Sequence, residues 1–234
     1  MEEVRFQCTL QSPNIVYVYL GDEEKLSYFA KLAHKNDNVR EQLCSRTYFE
    51  REVTLYKNFF PCFQTFLRTK NVQASSLFPN CYRTSLKPKC EYLLLQNLED
   101  VGYAVYENQG NLMDIPHVRK VLEAYARFHA LSLAVKKWDE DQWSNLITKI
   151  PDFFEKIYWE KEFYNVITNQ CVKVETYFGE NGRDAQANYI RKFRDNVHKY
   201  FLGSTTAGNS NYFVLTHGDA RLANMMFEHR VSKK

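Results

Sequence analysis

The side chains best suited to chemistry lie in one short run, Thr216-His217-Gly218-Asp219-Ala220-Arg221-Leu222-Ala223-Asn224-Met225-Met226-Phe227. A polar loop carries an aspartate and, five positions later, an asparagine, with apolar residues on either side. Phosphoryl transfer to a hydroxyl uses such a couple. The aspartate accepts or orients the hydroxyl proton, and the asparagine holds a Mg²⁺ bound to the phosphates. The plainer alternative is an Asx-rich hairpin in which Asp219 and Asn224 cap their own backbone. The preceding His217-Gly218 and the following apolar triplet favour the catalytic loop.

A second couple lies far upstream. Residues 26–33 read as a strand with apolar side chains on both faces, as in a covered strand, and Lys31 breaks that pattern. Phe49, Val53, Tyr56 and Phe60 recur at helical spacing, and Glu52 lies among them on the apolar face. A lone buried ammonium costs several kcal/mol, and so does a lone buried carboxylate. Each is therefore the natural partner of the other. In kinases a strand lysine reaches the nucleotide phosphates and a helix glutamate positions it. The alternatives are that Lys31 snorkels to solvent at a strand edge and that Glu52 faces water.

The surrounding elements follow from pattern and punctuation. Residues 4–10 and 15–20 are β-rich runs separated by Gln11-Ser12-Pro13-Asn14, and Gly21-Asp22-Glu23-Glu24 is a second turn. Thr47-x-x-Glu50 fits a capping box, predicting a helix from Thr47 that Pro61 ends. Residues 77–89 read as loop. Tyr92-Leu93-Leu94-Leu95 reads as a buried strand, and a boundary falls near Gln96–Asp100. Asp114-Ile115-Pro116 starts a helix, with Val118, Val121, Leu122, Tyr125, Phe128 and His129 as one stripe. An aromatic-dense helical stretch (151–178) follows, and it is read as core rather than cavity. Ile190, Phe193, Val197, Tyr200 and Phe201 mark a further helix. Residues 203–211 form a polar loop, 212–216 a short strand, and Met225-Met226-Phe227 a returning strand.

Composition excludes several classes. With only 8 glycines and 6 prolines in 234 residues, the chain is neither collagen-like nor low-complexity. The net charge of +3 gives no basic stripe for nucleic acid. No apolar run approaches the ~18 residues of a membrane span. The acidic start, Met1-Glu2-Glu3, is unlike a secretory signal. The six cysteines form no C-x-x-C pair. A cytoplasmic protein with reduced thiols is expected.

The sequence resembles the ecdysteroid-kinase-like, or choline-kinase-like, family, within the wider group of aminoglycoside and choline phosphotransferases. Four segments carry the likeness: Tyr28-Phe29-Ala30-Lys31; Phe49-Glu50-Arg51-Glu52-Val53-Thr54-Leu55-Tyr56 with Pro61; Leu93-Leu94-Leu95-Gln96-Asn97-Leu98 through Gly102-Tyr103; and Ala126-Arg127-Phe128-His129-Ala130-Leu131-Ser132 with the 217–224 loop. The resemblance implies an α+β, two-lobed protein-kinase-like fold. Residues 1–97 would be a nucleotide-binding N-lobe, with an antiparallel sheet plus a helix. Residues 98–234 would be a helical C-lobe, incomplete at its C-terminal side. It implies transfer of the γ-phosphoryl group of ATP, with Mg²⁺, to an alcohol hydroxyl of a small molecule such as an ecdysteroid. Lys31 would contact phosphate and Glu52 would hold it. Gln96, Asn97 and Leu98 would be the hinge whose backbone meets the adenine. Asp219 would be the catalytic aspartate and Asn224 the metal ligand.

The chain departs from the family pattern in three places. Gln96 and Asn97 stand where the family usually has acidic residues. No glycine-rich stretch precedes Lys31, and no Asp follows Asp219, where the family has a second metal-binding aspartate. These departures predict a truncated chain. They also keep a second reading open, a catalytically inactive member that binds a nucleotide, a lipid-like ligand or a protein partner. His217 is expected to support its loop by hydrogen bonding, and His129 to be a satisfied core histidine. A metal site from His217, Asp219 and His229 matches no zinc spacing. Oligomeric state is not legible.

Overall fold

The structure is a computed structural model that describes residues 4–6, 14–20, 24–73, 77–106, 113–150, 163–200 and 212–228. The described residues group into two compact units, one drawn from Met1–Ile150 and Val214–Lys234, the other from Pro151–Phe213. The class is α+β, with an antiparallel sheet in the N-terminal part and a helical C-terminal part.

The first unit is built on a four-stranded antiparallel sheet. Its strands are β2 (Asn14–Leu20), β3 (Glu24–Leu32), β4 (Cys81–Ser85) and β5 (Tyr92–Gln96), in the order β2-β3-β5-β4. The β2–β3 hairpin pairs Asn14 with Ala30 through Leu20 with Glu24, and β3 lies antiparallel to β5 with Lys31 opposite Leu93. Phe29, Leu93 and Leu95 project into one core cluster with Phe49 and Val53. Burying each such side chain stabilises the fold by about 1.5–3 kcal/mol. β4 falls inside the stretch that the sequence marks as loop. Its polar, half-exposed residues hide a strand signal, and a register shift between Cys81 and Arg83 interrupts the pairing.

Three α-helices precede β4, where one helix was expected. α1 (Asp37–Gln42) is capped by Asn36, whose side chain accepts the Val39 N–H. Cys44 then takes the left-handed conformation (φ 46°), and α2 (Ser45–Thr54) begins at once. Thr47 therefore lies inside α2. The capping-box pattern misleads because the turn out of α1, not a side-chain cap, fixes where α2 starts. Pro61 does not end the helix either. Leu55–Phe59 forms a π-helical turn, and α3 (Phe60–Thr69) continues with Pro61 in its first turn. The wider turn accommodates a proline that would break a regular helix interior.

A second sheet has the order β1-β7-β6, from β1 (Val4–Phe6), β6 (Tyr103–Val105) and β7 (Met225–Glu228). β7 thus has a partner on each edge. The segment 212–216, expected to be a strand, carries no ladder; its Leu215 is buried with Phe59, Phe63 and Phe128 instead. α4 (Ile115–Trp138) starts at the Asp114 cap as expected, and α5 (Glu140–Ile147) follows from an Asp139 cap. The buried face of α4 is His117, Val121, Ala124, Phe128, Ser132 and Val135. Leu122, placed on that stripe from the sequence, is 62% exposed.

In the second unit, α6 (Phe163–Glu180) and α7 (Asp184–Asp195) meet across a turn where Gly182 has φ +67°. Glu175 of α6 receives Arg191 and Arg194 of α7, both at 2.6 Å. In the aromatic stretch, Tyr164 and Tyr177 are exposed rather than core. Phe153, Phe154, Tyr158, Trp159 and the 203–211 loop lie outside the described residues.

Candidate functional site

Lys31 is 3% exposed, one residue before the end of β3. Its ammonium forms an ion pair with Glu52, in the last turn of α2. Phe49 and Val53 pack α2 onto the sheet, and that packing carries Glu52 to the lysine. The pairing resolves the burial problem that each side chain poses alone.

The loop before β7 has its own internal frame. Gly218 adopts φ +81°, a conformation natural to glycine, and the Asp219 N–H turns back to His217 Nδ1 at 3.2 Å. Asn224 is fully buried. Its amide donates to the Asp219 backbone carbonyl at 2.9 Å and to the Asp219 carboxylate at 2.7 Å. Arg221 Nε lies 3.2 Å from the same carboxylate oxygen, Oδ2. The two-stranded hairpin of the alternative reading does not form, since β7 pairs with β1 and β6, but its local capping does, in the Asn224 amide on the Asp219 carbonyl.

Electrostatics link this loop to the sheet. Burial holds the His217 pKa below the usual histidine value; Asp219 pulls it up, and the charge of Lys31 pushes it down. The loop and the strand lysine therefore share one electrostatic environment. Tyr125 of α4 belongs to it too. Burial, and then the Asp219 charge, push its phenol up to about 12.

The segment after β5 is held tightly. The Gln96 N–H donates to Asn80 O at 2.8 Å, and its side-chain oxygen accepts from Asn80 N–H at 3.3 Å. Asn97 is 6% exposed and donates to Ser27 Oγ (2.8 Å) and Asp100 Oδ1 (3.2 Å), while Ser27 donates to Asp100 Oδ2. Leu98 is fully buried against Tyr103 and Met226, and its carbonyl accepts from Val101 and Tyr103. The two amides that replace acidic residues thus act as structural ties between β3, β5 and the turn Glu99–Val101.

Three residues of this environment were not singled out from the sequence: Tyr125, Arg221 and Glu91. Tyr125 reads as part of an apolar stripe, and Arg221 is given no role within its loop. Glu91 sits beside the loop-like stretch, and only its side chain, 0% exposed, reveals its position. His129 also differs from expectation, because its buried Nε2 has no hydrogen-bond partner among the described residues. His229 lies outside the described residues. Among those described, no group of three or more His, Cys, Asp or Glu could hold a metal ion. No described helix is long and apolar enough to cross a membrane.

The family model of the Ecdysteroid kinase-like family matches residues 14–234. The chain belongs to that family. No curated protein and no solved structure matches it. The ecdysteroid kinase-like family is kinase-like, which makes a small-molecule phosphotransferase the general expectation for this chain. The match begins at β2, so β1 lies before it. Mg²⁺ takes hard oxygen ligands and keeps several from water and from substrate phosphates. Asp219 and Asn224 are donors of that kind, so the loop fits Mg²⁺ carried in on a nucleotide without an all-protein cage.

Proposed function

We propose that this ecdysteroid kinase-like protein transfers the γ-phosphoryl group of ATP to a hydroxyl of a small-molecule alcohol. The observation that carries the reading is the shared environment of His217, Asp219 and Lys31, joined to a carboxylate that Asn224 holds from a buried position. Lys31 donates to phosphate oxygens, and Glu52 keeps its ammonium aimed. The Asp219 carboxylate is fixed in rotation by two donors on Oδ2. It accepts the hydrogen bond of the acceptor hydroxyl and orients that oxygen for in-line attack. A new O–P bond forms, the bond from the γ-phosphorus to the bridging oxygen breaks, ADP leaves, and the hydroxyl proton passes by way of Asp219 to solvent. Mg²⁺, held through Asn224, supplies charge neutralisation on the phosphates. Gln96, Asn97 and Leu98 form the hinge, whose backbone edge takes the adenine. The work is positioning and electrostatics rather than a covalent intermediate.

The acceptor class is a neutral, largely apolar alcohol of the ecdysteroid type, and the setting is the cytoplasm. Cys44, Cys62, Cys81, Cys90 and Cys171 are free thiols, which suits a reducing compartment. The test has two steps. Thermal stabilisation by ATP, with and without Mg²⁺, reports binding. Phosphotransfer from γ-labelled ATP across a panel of sterols, ecdysteroids and amino alcohols then reports chemistry. Asp219→Ala is expected to lower kcat by about 10³-fold or more while nucleotide binding persists, as removal of a group acting at the reacting atoms does. A loss of only a few-fold would refute the role of Asp219. Nucleotide binding with no transfer to any acceptor would favour the inactive, ligand-binding alternative.

A further inference from the structure

Glu91 immediately precedes β5, and its carbonyl accepts the Ala33 N–H at 3.0 Å, extending the β3–β5 ladder by a residue pair. Leu93 stands two positions on, on the same face, and lies opposite Lys31. Glu91 and Lys31 therefore both face the helices, about 7 Å apart along the strand direction.

The Glu91 side chain is 0% exposed. Its Oε1 takes Arg40 of α1 at 2.7 Å and lies 3.6 Å from Arg46 of α2. Oε2 has no hydrogen-bond partner among the described residues. Arg40 also donates to His34 O, and Arg46 donates to Leu86 O and pairs with Glu50. One buried carboxylate beside the sheet thus gathers an arginine from each of α1 and α2. An apolar side chain would fill this place at less desolvation cost, so stability does not account for it.

The geometry of α2 gives the carboxylate a task. Arg46 lies in the first turn of α2 and Glu52 near its last. They are separated by about 9 Å along the axis and about 120° around it. The packing of Phe49 and Val53 on the sheet is non-directional, so with a single polar contact the helix could still slide or roll. Two contacts at different heights and on different sides fix both motions.

We propose that Glu91 is the positioning residue that seats α2 so that Glu52 meets Lys31. This inference rests on the reading of Lys31 as a phosphate-binding group.

The test is a double-mutant cycle on the full chain, read as the calorimetric dissociation constant for Mg·ATP. Glu91→Gln keeps the shape and removes the charge. It is expected to weaken binding about tenfold, the scale of coupling between side chains in one network. Glu52→Gln is expected to weaken it at least as much. The double variant should match Glu52→Gln within about twofold, because Glu91 acts through Glu52. A residue that only stabilised the fold would lower the unfolding midpoint yet multiply its effect on binding with that of Glu52→Gln. Multiplied effects, or Glu91→Gln binding within twofold of wild type, overturn the proposal. If Glu91→Gln does not unfold cooperatively, Arg46→Ala takes its place in the same cycle, since the Arg46 side chain is 43% exposed. Lys31→Met separates the two readings. If wild type does not bind Mg·ATP, or Lys31→Met binds it equally well, the phosphate reading falls and this inference with it. If Lys31 and Glu52 matter and Glu91→Gln is additive, only the role of Glu91 falls.

Discussion

Replacing Lys31 with methionine tests whether the ion pair exists for stability or for a ligand. The lysine side chain is 4% exposed and that of Glu52 18%. Lys31→Met keeps most of the stem volume and leaves a carboxylate with less than a fifth of its surface in water. A fully buried lone charge costs about 3–5 kcal/mol; the exposed part of Glu52 keeps some hydration, so about 2 kcal/mol is expected here. Lys31→Met combined with Glu52→Leu removes both charges and their desolvation together. Such replacements are neutral or stabilising by about 1–4 kcal/mol. The double variant should therefore recover the stability that the single one loses. Urea unfolding followed by circular dichroism reads this as a lowered midpoint for Lys31→Met and a restored one for the double, at constant slope. Both variants should bind Mg·ATP far more weakly than wild type. A double variant no more stable than the single would refute the electrostatic account of the pair. Undiminished nucleotide binding in either would refute the phosphate role of Lys31.

Two further outcomes follow from the loop. Gly218 has φ +81°, with nothing within 4 Å of where a Cβ would stand; Gly218→Ala is therefore a pure backbone-strain test. It should cost about 1–2 kcal/mol in urea unfolding and lower kcat through displacement of Asp219; unchanged values would show that the loop does not need this conformation. His217 has its folded pKa below the usual 6.5, with burial as the leading cause. The folded state thus holds fewer protons on this ring than the unfolded state. Its contribution to stability is complete above about pH 6.5 and is lost as pH falls through the depressed folded value. Protonation also removes the Nδ1 lone pair that receives the Asp219 N–H. Stability and phosphotransfer should fall together on the acid side, and His217→Asn should flatten the stability slope between pH 7 and pH 5. A slope unchanged in that variant would assign the titration to another group.

What the sequence disclosed was decided by cost. Lys31 and Glu52 were legible because a cation in an apolar strand and a carboxylate on an apolar helix face each need a partner. Asp219 and Asn224 stood out as an acid and an amide five positions apart behind His-Gly, and the structure brings their side chains together. The strands β3 and β5 and the start of α4 followed from burial pattern and an Asp cap. The errors all arose where local signals competed with tertiary ones. The capping box at Thr47 lost to a turn out of a six-residue helix that no apolar periodicity announces. Pro61 lost its helix-breaking effect to a π-helical turn, which is set by packing of Phe59 and Phe63 into the core. β4 was hidden by polar residues, because half of its surface faces water. Glu91 carries no signal of its own in the sequence; only the fold shows that its side chain is 0% exposed.

The placement of the Asp219–Asn224 couple has a source that neither residue supplies. Asn224 can hold the Asp219 carboxylate only if its own backbone is fixed, and a loop residue is ordinarily the least fixed part of a chain. Here Asn224 directly precedes β7, and β7 is clamped on both edges, with Val4 opposite Phe227 and Tyr103 opposite Glu228. Phe227 is fully buried against α4, in contact with His117 and Tyr106. The amide that orients the aspartate is thus the end of a strand with three independent restraints: two ladders and an apolar anchor. One ladder comes from β1, which lies ahead of the family-matched region. β1 therefore helps to set the backbone geometry that leads back to Asp219.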